Sequence, residues 1–177
     1  MSYKKQVTKN NRQQARQEID LGNSPEKLGA EDLLKEIDRL LAEDSPQKAL
    51  ELISKSKSQA PSIVNATGVC QLRLGNASAA VNIYRRLLVT GGIFIRPDAP
   101  DVFKVNFALA MLMDNNYPGF YSTLAEVSDD QHPALIKVKA GLKAWKQTLP
   151  FWQRLLFSCG VQLKVPVEFS FPLGDLK

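Results

Sequence analysis

The sequence predicts an all-α protein built from antiparallel helical hairpins, about seven or eight helices in all. Three observations predict it. Apolar residues recur at three- and four-residue steps through most of residues 30–160, which gathers them on single helix faces. Proline, glycine and asparagine punctuate those stretches and leave only short connections between them. Residues 161–177 alone change period, alternating apolar side chains with polar ones and prolines.

Residues 1–29 are rich in Gln, Asn, Lys and Arg and hold few apolar side chains. So little apolar surface does not offset the entropy of ordering, and a disordered basic leader is expected there. From residue 30 a helical domain is expected to run to residue 160. Leu33, Leu34, Ile37, Leu40 and Leu41 form the apolar face of its first helix. Ser45-Pro46 opens the second, with Ser as N-cap and Pro at the first helical position. Ala49, Leu50, Leu52 and Ile53 supply its apolar positions; Pro61 stops it and Ser62 begins the next. A second hairpin follows over 64–74 and 79–88, turning at Gly75-Asn76, and Gly91-Gly92 ends it. A loop with Pro97 and Pro100 leads to a third, 101–113 and 120–127, turning at Asn115-Asn116-Tyr117. Helices over 134–149 and 151–159 complete the domain, with Pro150 as the break. In the tail, 161–177, two prolines argue against a central strand. Phe169, Phe171 and Leu173 share one face if the backbone is extended. Leaving them in water costs about 1.5–3 kcal/mol each, so the tail is expected to pack on the domain.

A chain of 177 residues, 44 % of them hydrophobic, is long enough for one core plus tails. Cys70 and Cys159 have no partner spacing, which argues against a disulfide framework and for a reducing compartment. The longest apolar runs (LLVTGGIFI, VNFALAMLM, LLFSCGVQL) are too short to span a bilayer as helices, and the amino terminus has no apolar signal core. A cytoplasmic location is expected. The net charge of +5 is unevenly spread: residues 1–17 carry +5, residues 18–130 carry −5 and residues 131–167 carry +6 with no acid. Such asymmetry permits contact with nucleic acid, an anionic membrane or an acidic partner; the plainer reading is that the ends attract the acidic middle.

Catalytic chemistry finds no constellation. His132, the only histidine, precedes Pro133 in a loop, and one His with two separated Cys assembles no zinc set. Gly91-Gly92 follows a helix and lacks the Lys-Ser/Thr of a phosphate loop. Glu31-Asp32 and Asp129-Asp130 sit at helix ends, where the helix dipole accounts for them. The Asn65 and Asn76 sequons read as chance, the first lying inside a helix. No catalytic residue, cofactor or metal is expected.

One hairpin carries a pattern. Val64, Thr67, Gly68 and Gln71 stand where a bulky residue, a Leu-Gly pair and an aromatic belong, and the glycine alone is a clean match. Gly75-Asn76 makes the turn, and Ala80 with Tyr84 supplies a small residue and an aromatic four later. This resembles a tetratricopeptide repeat (TPR) in degenerate form. The first hairpin offers Leu33, Glu36, Ile37 and Leu40, then Ala49, Ile53 and Pro61; the third offers Phe107, Ala108, Met111 and Tyr117 but puts Phe120 where a small Ala belongs. Ala49 to Ala80 is 31 residues and Ala80 to Phe120 is 40, against a family period of about 34. The likeness covers residues 30–130. The PVEFSFPLGDL ending also resembles bacterial TPR proteins of the planctomycete kind, which implies no activity.

The resemblance implies a short right-handed solenoid and a non-catalytic scaffold that binds a protein or peptide. It implies a groove lined by the first helix of each pair: Asn65, Val69, Leu72 and Arg73 in the second repeat, Val105, Leu109, Leu112 and Met113 in the third. The alternative for the last four is core, because VNFALAMLM is apolar all round. Leu34, Asp38 and Ala66 occupy the places of the family's carboxylate clamp, and Asp38 repels a carboxylate, which disfavours a chaperone-tail ligand. The chain's own tail is a second expected occupant of the groove. A different class of function is an electrostatic binder of nucleic acid or an anionic membrane through residues 1–17 and 137–154, where Trp145 and Trp152 lie among Lys137, Lys139, Lys143, Lys146 and Arg154. There the plainer reading turns the tryptophans to the core. A secretion chaperone ranks third, since those are usually acidic.

Overall fold

The computed structural model describes residues 29–92, 94–159, 161 and 165–177. The basic leader, apart from Gly29, lies outside the described residues. The fold is all-α: eight helices among the described residues and one two-stranded ribbon.

Helix α1 (Ala30–Ala42) buries Leu33, Ile37, Leu40 and Leu41 and carries Glu31 and Asp32 in its first turn, where acids suit the positive end of the helix dipole. Helix α2 (Pro46–Ser56) opens on Pro46 behind Ser45. The serine hydroxyl donates to Glu43 O and does not cap the helix. Pro61 does not stop α2, which ends at Ser56; it opens α3 (Pro61–Arg73) at the first helical position, where a missing N–H costs nothing. Helix α4 (Ala77–Leu88) follows the Gly75-Asn76 turn.

The stretch after α4, expected as plain loop, forms an antiparallel ribbon of β1 (Val89–Thr90) and β2 (Phe94–Ile95), pairing Val89 with Ile95 and Thr90 with Phe94. Gly91 and Gly92 both take positive φ between the strands, a conformation glycine adopts without a Cβ penalty. Helix α5 (Asp101–Met113) is buried continuously from Val102 to Ala110. Lys104 is 1 % exposed, its Nζ donating to Pro97 O, Asp101 Oδ1 and Ser128 Oγ. Helix α6 (Tyr117–Ala125) is capped by Asn116, whose Oδ1 accepts from Gly119 N at 3.0 Å. Helix α7 (Pro133–Thr148) starts behind His132, whose Nδ1 accepts from Ala134 N. Helix α8 (Phe151–Ser158) buries Phe157 alone.

Successive helices pack in order from α1 to α6, and the odd-numbered ones also meet: α1 with α3, α3 with α5, α5 with α7. One apolar cluster joins α1, α2 and α3; a larger one runs from Leu72 through α4, α5, α6 and α7 to Phe157 and Val167. At the α3–α4 crossing Gly68 meets Tyr84, where an added Cβ would stand 2.4 Å from the ring. Tyr84 is fully buried and reaches on to Phe107 of α5, with ring centroids 6.1 Å apart. One aromatic therefore joins three helices, and the glycine makes room for it.

Two predictions arise here. Gly68→Val forces Tyr84 out of place and lowers stability by about 1–3 kcal/mol in chemical denaturation, the usual cost of overpacking. The second concerns Asp101. Burial acts to raise its carboxyl pKa, but the N–H groups of Ser128 and Asp129 (3.0 and 2.8 Å) and Lys104 outweigh that and hold it below the usual value. A carboxyl with a lower pKa folded than unfolded stabilises fully above its unfolded pKa of about 3.9 and loses that contribution as pH falls through the folded one. Asp101→Asn is expected to melt lower at pH 7 and to lose less stability than the native chain between about pH 5 and pH 3.

Candidate functional site

The odd-numbered helices present a common face, and residues 165–177 lie along it. Helix α5 offers one polar side chain there. Asn106 is fully buried in a helix otherwise apolar around its middle, so its carboxamide must find partners inside the protein. Its Nδ2 donates to Asn65 Oδ1 of α3 at 2.9 Å and to Asp175 O at 2.7 Å, while its Oδ1 accepts from Asp175 N at 3.1 Å. The side-chain amide thus matches both main-chain groups of one tail residue. Behind it the Tyr84 hydroxyl lies 3.1 Å from Asn65 O and 3.2 Å from Asn65 Oδ1. Burial pushes the Tyr84 pKa far up, which keeps that hydroxyl a donor. Asn65 Nδ2 is buried without a partner among the described residues.

Arg73, at the end of α3, binds on two sides. Its Nη1 donates to Leu41 O at the end of α1 (2.7 Å), its Nε to Leu173 O (3.1 Å) and its Nη2 to Gly174 O (3.2 Å). Between these contacts the tail passes Val69. A Cβ on Gly174 would stand 3.0 Å from Val69 Cγ2, and φ there is +79°, so a side chain at 174 is both crowded and strained.

Helix α7 supplies the rest through Lys137, Gly141 and Trp145, spaced four apart on one face. Lys137 Nζ is 2.8 Å from the Asp175 carboxylate and 4.9 Å from the centre of the Phe171 ring. Gly141 lets the paired rings of Phe169 and Phe171 sit where its Cβ would be, within 2.6 Å. Trp145 is buried and donates from Nε1 to Pro166 O at 3.0 Å. At the far end Lys177 lies 3.8 Å from Asp38 of α1. Among the described residues, the helix side chains that hold residues 165–177 by hydrogen bonds or ion pairs belong to α1, α3, α5 and α7. No family model, curated protein or solved structure matches this chain.

The residues expected to line a groove divide. Arg73 and Val69 touch the tail. Asn65 is one step behind it, reaching it through Asn106. Leu72, Val105, Leu109 and Leu112 are buried in the larger apolar cluster, and Met113 packs against it half-buried. Asn106, Lys137, Gly141 and Trp145 were not among the expected groove residues. The signal for Asn106 was available: it is the one uncharged polar residue inside VNFALAMLM, one position beyond Val105.

Other candidates hold no chemistry together. Among the described residues no group of three His, Cys, Asp or Glu side chains is placed to hold a metal. Cys70 is buried, its thiol pushed up to about 11 mainly by burial, and Cys159 is exposed at the end of α8. A shallow hollow of about 770 Å³ between α2, α3 and α4 is lined by Val64, Thr67 and Gln71 on a different face of α3. Of the tryptophans, Trp145 faces the core and Trp152 is 59 % exposed.

The relative strength of the contacts sets the expected variants. The Lys137–Asp175 pair is about one-third exposed on each side, which limits it to about 1 kcal/mol or less. The Asn106 amide is buried, and losing it strands Asp175 and Asn65 groups at about 1–3 kcal/mol. Asn106→Ala is therefore expected to destabilise clearly more than Lys137→Ala. Removing residues 165–177, which takes Val167, Leu173 and the aromatic pair off the apolar cluster and uncovers Val69, Gly141 and Trp145, is expected to lower Tm by about 5 °C or more; an unchanged Tm would show the tail contributes nothing.

Proposed function

We propose that this chain is a non-catalytic scaffold that binds an extended segment of protein in the groove between its odd-numbered helices. The reading rests on one observation, the two-way hydrogen bonding of Asn106 to the main chain of Asp175. An amide placed this way recognises an extended backbone whatever side chain it carries. Selectivity comes from its neighbours. Arg73 reads two successive carbonyls, Lys137 favours an acid, and Gly141 leaves space for an aromatic pair. The ligand class is an extended apolar-aromatic segment ending in Leu-Gly-Asp. The chain's own tail meets that description, and an outside partner would compete with it.

The TPR-like solenoid belongs to the same proposal. It is supported by fully buried Ala49 and Ala80 in the second helices of the first two hairpins, by the Gly68–Tyr84–Phe107 stacking across repeats, and by the contacts among odd-numbered helices. A cytoplasmic setting, with a protein or peptide as partner and no cofactor, completes the reading.

The test uses the full chain with Gly174→Val, which loosens the tail by crowding Val69 at a positive-φ position. A fluorescent peptide of residues 165–177 is expected to bind that variant at least about ten-fold more tightly than the native chain, whose groove is filled; tenfold corresponds to about 1.4 kcal/mol. Adding Asn106→Ala should abolish the binding. Equal binding to both chains, or none to a Gly174→Val chain that keeps its helical circular dichroism, would overturn the proposal.

A further inference from the structure

Helix α8 is anchored by one side chain and leaves its apolar face outside. Phe157 points inward, meeting Trp145 and Tyr117 edge to face with ring centroids 5.2 Å apart in each case. Phe151 and Leu155 are four apart, as are Trp152 and Leu156, and the two pairs lie side by side on the opposite face. They are 78, 58, 59 and 36 % exposed. Leaving two large aromatic side chains and two leucines in water together is unfavourable, and turning this face inward would take Phe157 off Trp145 and Tyr117.

Charge identifies what covers this face. Residues 131–167 contain six basic and no acidic side chains. Lys139, Lys143 and Lys146 follow one stripe of α7, at steps of four and three. Lys146 Nζ lies 4.6 Å over the Phe157 ring, bringing that stripe to α8. Asp130, 3.8 Å from Lys139, offsets only one of these cations. A second copy would bring a like-charged surface to this one. The chain's own leader does not fit either, since residues 1–17 carry five bases and no acid.

We infer that α8 docks this protein on an anionic lipid bilayer. Phe151, Trp152, Leu155 and Leu156 enter the boundary between headgroups and acyl chains, and the α7 lysines face the lipid phosphates. Aromatic and leucine side chains beside a row of cations are the combination that holds an amphipathic helix in the plane of a membrane surface. The peptide groove lies on another face of α7, so the two activities are independent.

The test uses the full chain with vesicles of phosphatidylcholine alone and of phosphatidylcholine with about 30 mol % phosphatidylglycerol. Co-sedimentation and a blue shift of Trp152 emission are expected with the anionic vesicles, and at least about ten-fold weaker partitioning with the neutral ones or when salt is raised from about 0.1 to 0.5 M. Leu155→Glu, and separately Lys139→Glu with Lys143→Glu, should each reduce partitioning about ten-fold or more while leaving circular dichroism and the Tm of these exposed sites near native. Absence of binding to anionic vesicles, or binding that Leu155→Glu leaves unchanged, overturns the inference. So does a dimer seen by sedimentation velocity that Leu155→Glu dissociates without any vesicle binding, which would give the face to a second copy.

Discussion

A buried side-chain amide has to be satisfied by the protein itself, and Asn106 is satisfied by the tail. Two of its three hydrogen bonds go to the main chain of Asp175 and the third to Asn65. Without the tail, that amide would lose both main-chain partners and keep only Asn65 within the protein. The helical stack and the tail therefore share one set of buried hydrogen bonds. Arg73 extends the same logic, tying the end of α1 to two tail carbonyls. The ion pair at Lys137 adds a preference for an acid but little free energy, because it faces solvent.

Close approach is the second constraint, and glycine supplies it wherever an aromatic or the backbone has to come near. Gly68 admits Tyr84 between the two helices of the second hairpin, and Gly141 admits the Phe169–Phe171 pair. Both sit inside helices, where glycine costs about 1 kcal/mol relative to alanine; the packing they permit offsets that loss. The two faces of α7 then divide the work. One carries the tail through Lys137, Gly141 and Trp145, and the other carries Lys139 and Lys143 toward solvent.

Much of the fold was legible because helical periodicity and turn chemistry are local. The apolar positions of α1 and the turn at Gly75-Asn76 read directly from the chain. Pro61 is ambiguous for a local reason too: proline both ends helices and opens them, and here the left-handed Lys57 ends α2 while Pro61 opens α3. The groove was harder. In α3, Arg73 and Val69 reach the tail while Leu72 belongs to the core. In α5 an apolar residue at nearly every position carries no facial signal, so Val105, Leu109 and Leu112 were as plausible as their neighbours; all three are core, and Asn106 beside them makes the contact. Trp145 and Trp152 show the same limit, since seven residues of separation does not say which of two helices turns its ring outward.

By itself the sequence determined that the chain is all-α, where most helices begin and end, which small and aromatic residues close the second hairpin, and that the tail is extended. Those properties depend on neighbours within a few residues, so spacing encodes them. Only the tertiary structure decided which face of each odd-numbered helix meets the tail and which side of α8 stays outside. Asn106 and Asp175 are 69 residues apart, and no local pattern links an amide in an apolar helix to one peptide unit near the end of the chain.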